Sequence, residues 1–520
     1  GDNRINGETI AAGAALTRLY ERRFFKPGWE EPQNIRVMIA AIRAAEDHGL
    51  NPAPYHLATL QNLAHRALPA AAAENRHDPN LDILLTDSFL LLAHDLSSGR
   101  VNPARINPAW NFDPAKEGIT REDLLEAALI DGRIQDRLEE QAPSHPLYRR
   151  LKAALEHYRR IAAAGGWAPI PEGPRLEVGV RDVRVPLLRE RLMLTGDLSI
   201  VPDGNSLVFD PPLARAVLRF QERTRVNRDR SREDDYDGAV GTGTLAALNV
   251  PVEAHIRQLR VNLERGRWFL HDLPASFVMV DMAGYRGYLY KDDEIIWRAR
   301  VQIGAPYRET LSFRSAIKYI VFNPTWTVPP GILRHTTLPR IRKDLSYLDK
   351  HHFQVIDREG QRVDPATVEW TRYTAASLPY RIVQTPGPHN ALGRVKFIFP
   401  NPYYIYLHDT SYKSEFGSND RTFSSGCIRI DKPFKLAKRL LDGPDKWTIG
   451  RIRDIIATEK TRTVFLPEPV PVLLLYLTAL VDDQEQVHFR KDVYKRDAAV
   501  LKGLDASAPP SSADGRTGQP

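Results

Sequence analysis

The apolar pattern changes once along the chain, near residue 270, and that change limits the fold more than any other feature. From Thr9 to Trp167 the spacing is helical, in stretches such as NIRVMIAAIRAAEDHGL and LDILLTDSFLLLAHDLSSGR that stop at glycine- or proline-rich breaks. From about 270 to 500 the runs FVMVDMAGYRGYLYKDDEIIWRARVQIG, AIKYIVFNPTWTVP, RVKFIFPNPYYIYLHDT and VPVLLLYLTAL are β-branched and aromatic, punctuated by Gly, Pro and Asp. Helices segregated from strands predict an α+β multidomain protein, and 520 residues exceed what one hydrophobic core serves.

Smaller breaks subdivide the chain. Residues 1–175 read as a helical scaffold. Residues 176–250 form a small unit in which LARAVLRFQERTRV spaces Leu213, Val217 and Phe220 along one helical face, with a second short helix after DGAVGTGT. Pro251 opens a linking helix over 251–269, with Val252, Ile256, Leu259 and Leu263 on one side. Inside the β-rich stretch 270–500, the segment 332–384 is too long for a plain connection and reads as a cap. The run Pro469 to Val481 is too short for a bilayer, which needs about 20 residues, and reads as a buried strand. The tail 501–520, poor in apolar residues, is expected to be disordered. The first residues, GDNRINGETI, lack an initiator Met and the basic and apolar regions of a signal peptide, so the chain reads as processed or trimmed and export stays open.

A net charge of +7 and a pI near 9.2 favour a polyanionic partner: nucleic acid, anionic lipid or wall polymer. No helix-turn-helix, zinc-finger or RNP-like signature supports nucleic acid, and the charge run RTRVNRDRSREDDYDG is balanced, as in a solvated loop. GTGTLA at Gly241 follows a charged run rather than a strand, which argues against a dinucleotide site. Ser315 to Lys318, SAIK, has no Lys-Thr-Gly partner and reads as an exposed strand edge. His351, His352, His389 and His408 form no His-Glu-x-x-His helix and a single cysteine denies a Cys-rich zinc site, so metal binding is not expected.

One cysteine, Cys427, excludes an internal disulfide. It stands in TFSSGCIRI, which reads as a tight turn entering a strand at Ile428, while FIFPNPYYIYLHDT reads as a strand ending at His408. Two adjacent strand ends would bring thiol and imidazole together. A thiol of pKa about 8.5 needs a base or nearby positive charge to act as a nucleophile at neutral pH. His408 is the candidate base. Gly426 would admit close backbone approach, with turn N–H groups available to an oxyanion. Arg429, two residues on, would share the cysteine's face and could lower the thiol pKa or hold a carboxylate. The competing readings stay open: a small buried hydrophobe for Cys427, a structural histidine for His408 and a solvated charge for Arg429.

With these residues laid out, the chain resembles the L,D-transpeptidases, the YkuD-type cysteine enzymes of bacterial peptidoglycan, and most closely their long Gram-negative branch. The resemblance rests on His408, then Ser424, Ser425, Gly426, Cys427, Ile428 and Arg429, with NPTWTVPPGI, PGPHNALGRVKFIFPNPYYIYLHDT and PVPVLLLYLTALVDDQEQVHFRKDVY elsewhere. Ser425 replaces a frequent His and Arg429 a frequent Asn. The unit containing VLRFQERTRV and DGAVGTGTLAALN is similar to the three-helix peptidoglycan-binding domain.

The resemblance implies a β-rich catalytic sandwich with a capping subdomain, Cys427 as nucleophile and His408 as base. It further implies Tyr406 beside the histidine, and Gly426, Arg429 and Ser425 around oxyanion and substrate. The implied reaction releases terminal D-Ala from a tetrapeptide stem through a thioester and forms a 3→3 cross-link; L,D-carboxypeptidase action or transfer to protein amines are alternatives. No cofactor is implied. The implied partners are donor and acceptor stem peptides and possible wall synthases, the implied location is the periplasm, and carbapenems would acylate Cys427. A rival of another class is a wall-binding scaffold with a vestigial thiol. Oligomeric state is not legible.

Overall fold

The computed structural model describes residues 4–74, 77–112, 119–199, 207–225, 236–271, 273–292, 294–441 and 446–506. Residues 226–235 of the charged run, expected to be a solvated loop, and residues 507–520 of the expected tail lie outside the described residues. The described chain divides into two compact units: Pro274–Tyr476, and the residues before it together with those after it.

The first unit is largely helical. Its centre is the helix Pro79–Ser98, started by the Asp78 carboxylate on the N–H groups of Asn80 and Leu81 and ended at Gly99 with φ of 85°. Leu84, Leu85, Phe89, Leu91 and Leu92 of that helix pack with Met38, Ile42 and Leu125 from surrounding helices and with Trp29 from the connection before Pro32. A separate core built from Leu188, Leu192, Leu213, Val217, Phe220 and Leu248 joins three helices, Val185–Leu194, Pro211–Thr224 and Thr242–Leu248. The Gln221 amide ties the last two together. Its Oε1 accepts from Gly238 N–H at 2.9 Å, and its Nε2 donates to the Ala239 carbonyl at 2.9 Å and to Thr244 at 3.1 Å. Gly238 is obligatory there, because φ is 66° and a Cβ would sit 2.7 Å from the Ala214 carbonyl oxygen.

The chain differs from expectation at its end. The strand from Arg462 stops at Leu475, and from Leu477 onward the chain returns to the helical unit instead of continuing the catalytic domain to residue 500. Polar pairing with the helix Val252–Phe269 explains the return: Asn262 bonds both the N–H and the hydroxyl of Thr478, and Gln258 bonds its carbonyl. Residues 501–504, placed in the disordered tail on composition, complete the helix Asp497–Leu504, whose Val500 and Leu504 are buried in the scaffold core. Among the described residues no helix is long and apolar enough to cross a membrane.

The second unit is built on nine strands: β1 (Ser276–Asp281), β2 (Arg286–Lys291), β3 (Glu294–Gly304), β4 (Phe313–Phe322), β5 (Val395–Ile398), β6 (Leu407–His408), β7 (Thr422–Ser424), β8 (Ile428–Ile430) and β9 (Arg462–Leu475). Their order is β7-β3-β8-β6-β5-β4-β9-β1-β2, and β2 also pairs with β3. The ladder thus closes on itself, so the expected sandwich is joined at a corner by the long β3, which uses one half for β2 and the other for β7 and β8. Ser315–Lys318 lies on β4 and pairs with β9 along one side, whereas the register with β5 begins only at Tyr319, so among the described residues no strand pairs with its other side. One further reading changes. FIFPNPYYIYLHDT is not one strand, because Pro400 and Pro402 interrupt the ladder and the Asn401 side chain folds the chain back, accepting from Tyr403 and Ile405 N–H. The result is the antiparallel pair β5 and β6. Between β4 and β5 a cap with its own four-stranded sheet, Trp326–Thr327, Arg381–Gln384, Phe353–Ile356 and Arg362–Val363 in spatial order, encloses Leu338, Ile341, Leu348, Val355 and Ile382.

Gln221→Leu should destabilise the small helical unit by about 1–3 kcal/mol, because the buried Gly238 N–H and Ala239 carbonyl lose their partner. Denaturant unfolding followed at Trp167 would record it; a loss below about 0.5 kcal/mol would show that the loop does not depend on this amide.

Candidate active site

Strand alternation sorts the site. On β5, β6 and β8 the residues Val395, Phe397, Leu407, Ile428 and Ile430 are buried in the barrel core. Register puts Lys396 opposite His408, and His408 in parallel pairing opposite Arg429. Side chains of paired residues share a face, so Lys396, Tyr406, His408, Cys427 and Arg429 all leave the core face together. The chain therefore puts its apolar residues inward and gathers its chemistry on the other side of three adjacent strands.

Cys427 occupies the turn between β7 and β8. Gly426 before it has φ of 108°, a conformation a side chain rarely adopts. Ser424 pins this turn: its Oγ accepts from Gly426 N–H at 3.1 Å and donates to the Cys427 carbonyl. The Gly426 carbonyl accepts from Thr310 Oγ1 at 2.9 Å. Gly426 N–H, expected to serve an oxyanion, is thus occupied by Ser424, whereas Cys427 N–H has no partner among the described residues. Ser425 is exposed, and its hydroxyl meets Arg308 at 3.0 Å. Buried Arg421 braces the approach to the turn with bonds to the carbonyls of Phe416, Ser418, Val301 and Tyr285.

The thiol points at the Tyr404 carbonyl, with Sγ to O at 3.5 Å. Among the described residues no hydrogen bond joins it to His408. That imidazole is 4% exposed, and its Nδ1 lies against the Asp409 carbonyl, with the Leu392 carbonyl also in reach. Burial, with Arg429 and Lys396 adding positive charge, lowers its pKa to about 3, so the ring is neutral at physiological pH. Crowding of the sulfur pushes the Cys427 thiol up, opposed by Tyr406 N–H and by the charges of Lys396 and Arg429. Arg429 is not a solvated charge: it bonds Gln302 and Glu415, each at 3.0 Å. The two strand ends meet as expected, and the thiol–imidazole bond is not made in this state.

Sequence reasoning missed Lys396, Thr310 and Glu415, and named Ser424 within the motif without its role in the turn. Lys396 was visible as the single charge in the alternating run VKFI, but only the β5–β6 turn, hidden by the reading of one continuous strand, places it opposite His408. Tyr307, Tyr404, Tyr412 and Phe423 are exposed, all on segments that border the thiol turn or the loop leading to it. Among the described residues no cluster of three or more His, Cys, Asp or Glu could hold a metal.

A thiol on a glycine-set turn, with an open N–H and a neutral imidazole on the neighbouring strand, defines a candidate site for cysteine acyl transfer. Residues 275–449 match the L,D-transpeptidase catalytic domain of the YkuD family, and residues 14–155 match the Scaffold domain. A Haemophilus influenzae protein whose name assigns it to the L,D-transpeptidases is 33% identical over 223 residues, which is 43% of this chain and 45% of that one; the match thus spans under half of that relative. Two solved structures show a loose likeness. An L,D-transpeptidase from Stackebrandtia nassauensis is 12% identical with a TM-score of 0.23, covering 59% of this chain and 97% of that one. A cysteine-to-serine L,D-transpeptidase from Enterococcus faecium is 10% identical with a TM-score of 0.20, covering 62% and 99%.

Because burial raises the thiol pKa, its thiolate fraction at pH 7 should lie below that of a free cysteine, and iodoacetamide alkylation should rise with a midpoint above the ordinary value of about 8.5. His408 ring protons should show no NMR titration between pH 5 and 8. A midpoint at or below 8 together with an inflection near 6.5 would mean that thiolate and imidazolium already pair in the free protein.

Proposed function

We propose that this protein is a peptidoglycan L,D-transpeptidase that works through a Cys427 thioester in the periplasm. The observation that carries the reading is the parallel pairing of β6 with β8, which puts the single thiol of the chain and the neutral His408 imidazole on one face of neighbouring strands. The catalytic-domain match supports it.

In the first step a tetrapeptide stem enters with its penultimate carbonyl carbon at Sγ and displaces the thiol from the Tyr404 carbonyl. The thiol proton passes to a nitrogen of His408 and Sγ attacks the carbonyl. Hydrogen bonds of this kind commonly form only in the substrate complex. Cys427 N–H stabilises the oxyanion. The C–N bond to D-Ala then breaks, and D-Ala departs with the proton that His408 returns to its amine. In the second step a diaminopimelate side-chain amine attacks the thioester carbonyl and gives up a proton to His408. The C–S bond breaks, the 3→3 amide forms and the proton returns to the thiol. Water in place of the amine gives the tripeptide, so carboxypeptidase action shares the same steps. Neither route needs a metal or redox group, since the peptide bond's energy is kept in the thioester. Exposed aromatic residues and net positive charge suit an anionic glycopeptide, the three-helix unit would hold glycan, and a carbapenem would acylate the same sulfur.

Incubation with disaccharide-tetrapeptide should yield a cross-linked dimer lacking one D-Ala by mass spectrometry. Cys427→Ala should abolish it, and His408→Gln should lower the rate by about 10²–10⁴-fold. Wall binding without product in the wild type would favour the scaffold reading. Equal activity in Cys427→Ala would end the thioester mechanism.

A further inference from the structure

Lys396 sits at the middle of the site, yet no sequence motif assigns it a task. It is half-buried on β5, directly opposite His408, and its ammonium lies 3.8 Å over the centroid of the Tyr406 ring. Among the described residues it has neither an ion pair nor a hydrogen-bond acceptor. Arg429 on the other flank differs, because Glu415 neutralises it. Withdrawing an ammonium from water without a counter-charge is unfavourable, and a cation–π contact offsets only part of the cost. A methionine would fill the same space without that penalty. The charge becomes favourable only when a negative group forms nearby, and the anion that this face can generate is the sulfur of Cys427, whose field in turn acts on Lys396.

We propose that Lys396 is a positioning residue for the nucleophile: held on the Tyr406 ring, its uncompensated ammonium stabilises the thiolate of Cys427. The inference deepens the reading of Cys427 as the nucleophile and rests on it. Around the sulfur His408 is neutral, Tyr406 and Tyr404 contribute a main-chain N–H and carbonyl, and Arg308 bonds the neutral Ser425 hydroxyl. The cations whose charge reaches the sulfur are Lys396 and Arg429, and of these two Arg429 is paired with Glu415 while Lys396 has no carboxylate partner among the described residues.

The test is the pH dependence of iodoacetamide alkylation in the full chain, where a single cysteine makes total alkylation report Cys427 alone. Lys396→Met should move the midpoint up by about one pH unit, so that alkylation at pH 7.5 falls roughly tenfold while the alkaline plateau is unchanged. Lys396→Arg should restore the rate to within about threefold, and a merely structural role would move the plateau or the melting temperature instead. The reciprocal measurement needs no change at Lys396. In Cys427→Ser the loss of the thiolate should make the Lys396 amine acetylate faster at pH 9, read at its own peptide by mass spectrometry, and this stands if Lys396→Met does not fold. An unshifted alkylation midpoint, or equal Lys396 acetylation with and without the thiol, overturns the proposal. Because neither readout uses peptidoglycan, a shifted midpoint without cross-linking would fault the functional reading and leave the electrostatic one standing.

Discussion

The site depends on the parallel pairing between β6, two residues long, and β8, three residues long. It fixes His408 against Arg429 and so leaves Cys427 one step away across the same ladder. A slip of one residue would turn Leu407 and Ile428 outward and drive the polar side chains into the barrel core. Burial of Phe397, Leu407, Ile428 and Ile430 thus enforces the arrangement of groups that themselves contribute little to stability. The strands are short, and much of their register is secured from outside: by Ser424 within the turn and by Arg421, whose guanidinium collects four carbonyls from three parts of the chain.

The electrostatics of the site follow from the same crowding. Burial favours the neutral forms of both thiol and imidazole, and the two cations beside them lower both pKa values, opposing burial at the thiol and reinforcing it at the imidazole. A preformed thiolate–imidazolium pair is therefore disfavoured at rest. A protein exposed to oxidants gains from that arrangement, since the neutral thiol reacts more slowly than the thiolate.

The broad division into helical and β-rich parts was legible because apolar periodicity is a local property, as was the face of Leu213, Val217 and Phe220. Cys427 and His408 were legible as candidates because one thiol in a glycine turn is chemically conspicuous. What escaped was pairing at long range. The β5–β6 turn hinged on how Asn401 uses its side chain between two prolines, and without it Lys396 had no neighbour. The use of Gly426 N–H by Ser424 depends on a hydroxyl rotamer that no sequence pattern states. The departure of the chain from the sheet at Leu477 was hidden in an apolar run, because Leu473, Leu474 and Leu475 look alike whether the next residues stay or leave.

That departure bears on how the protein is made. The helical unit is discontinuous: Asn262 must find Thr478, 216 residues later, and the intervening Pro274–Tyr476 forms a compact unit of its own. A chain growing from its N terminus can complete the inserted unit while the helix Val252–Phe269 still lacks its partner segment, with the polar groups of Gln258 and Asn262 left to water. Synthesis order therefore lets the inserted unit be completed before the helical unit can be. A truncation just after Tyr476 would leave an intact barrel tethered to a scaffold that cannot close.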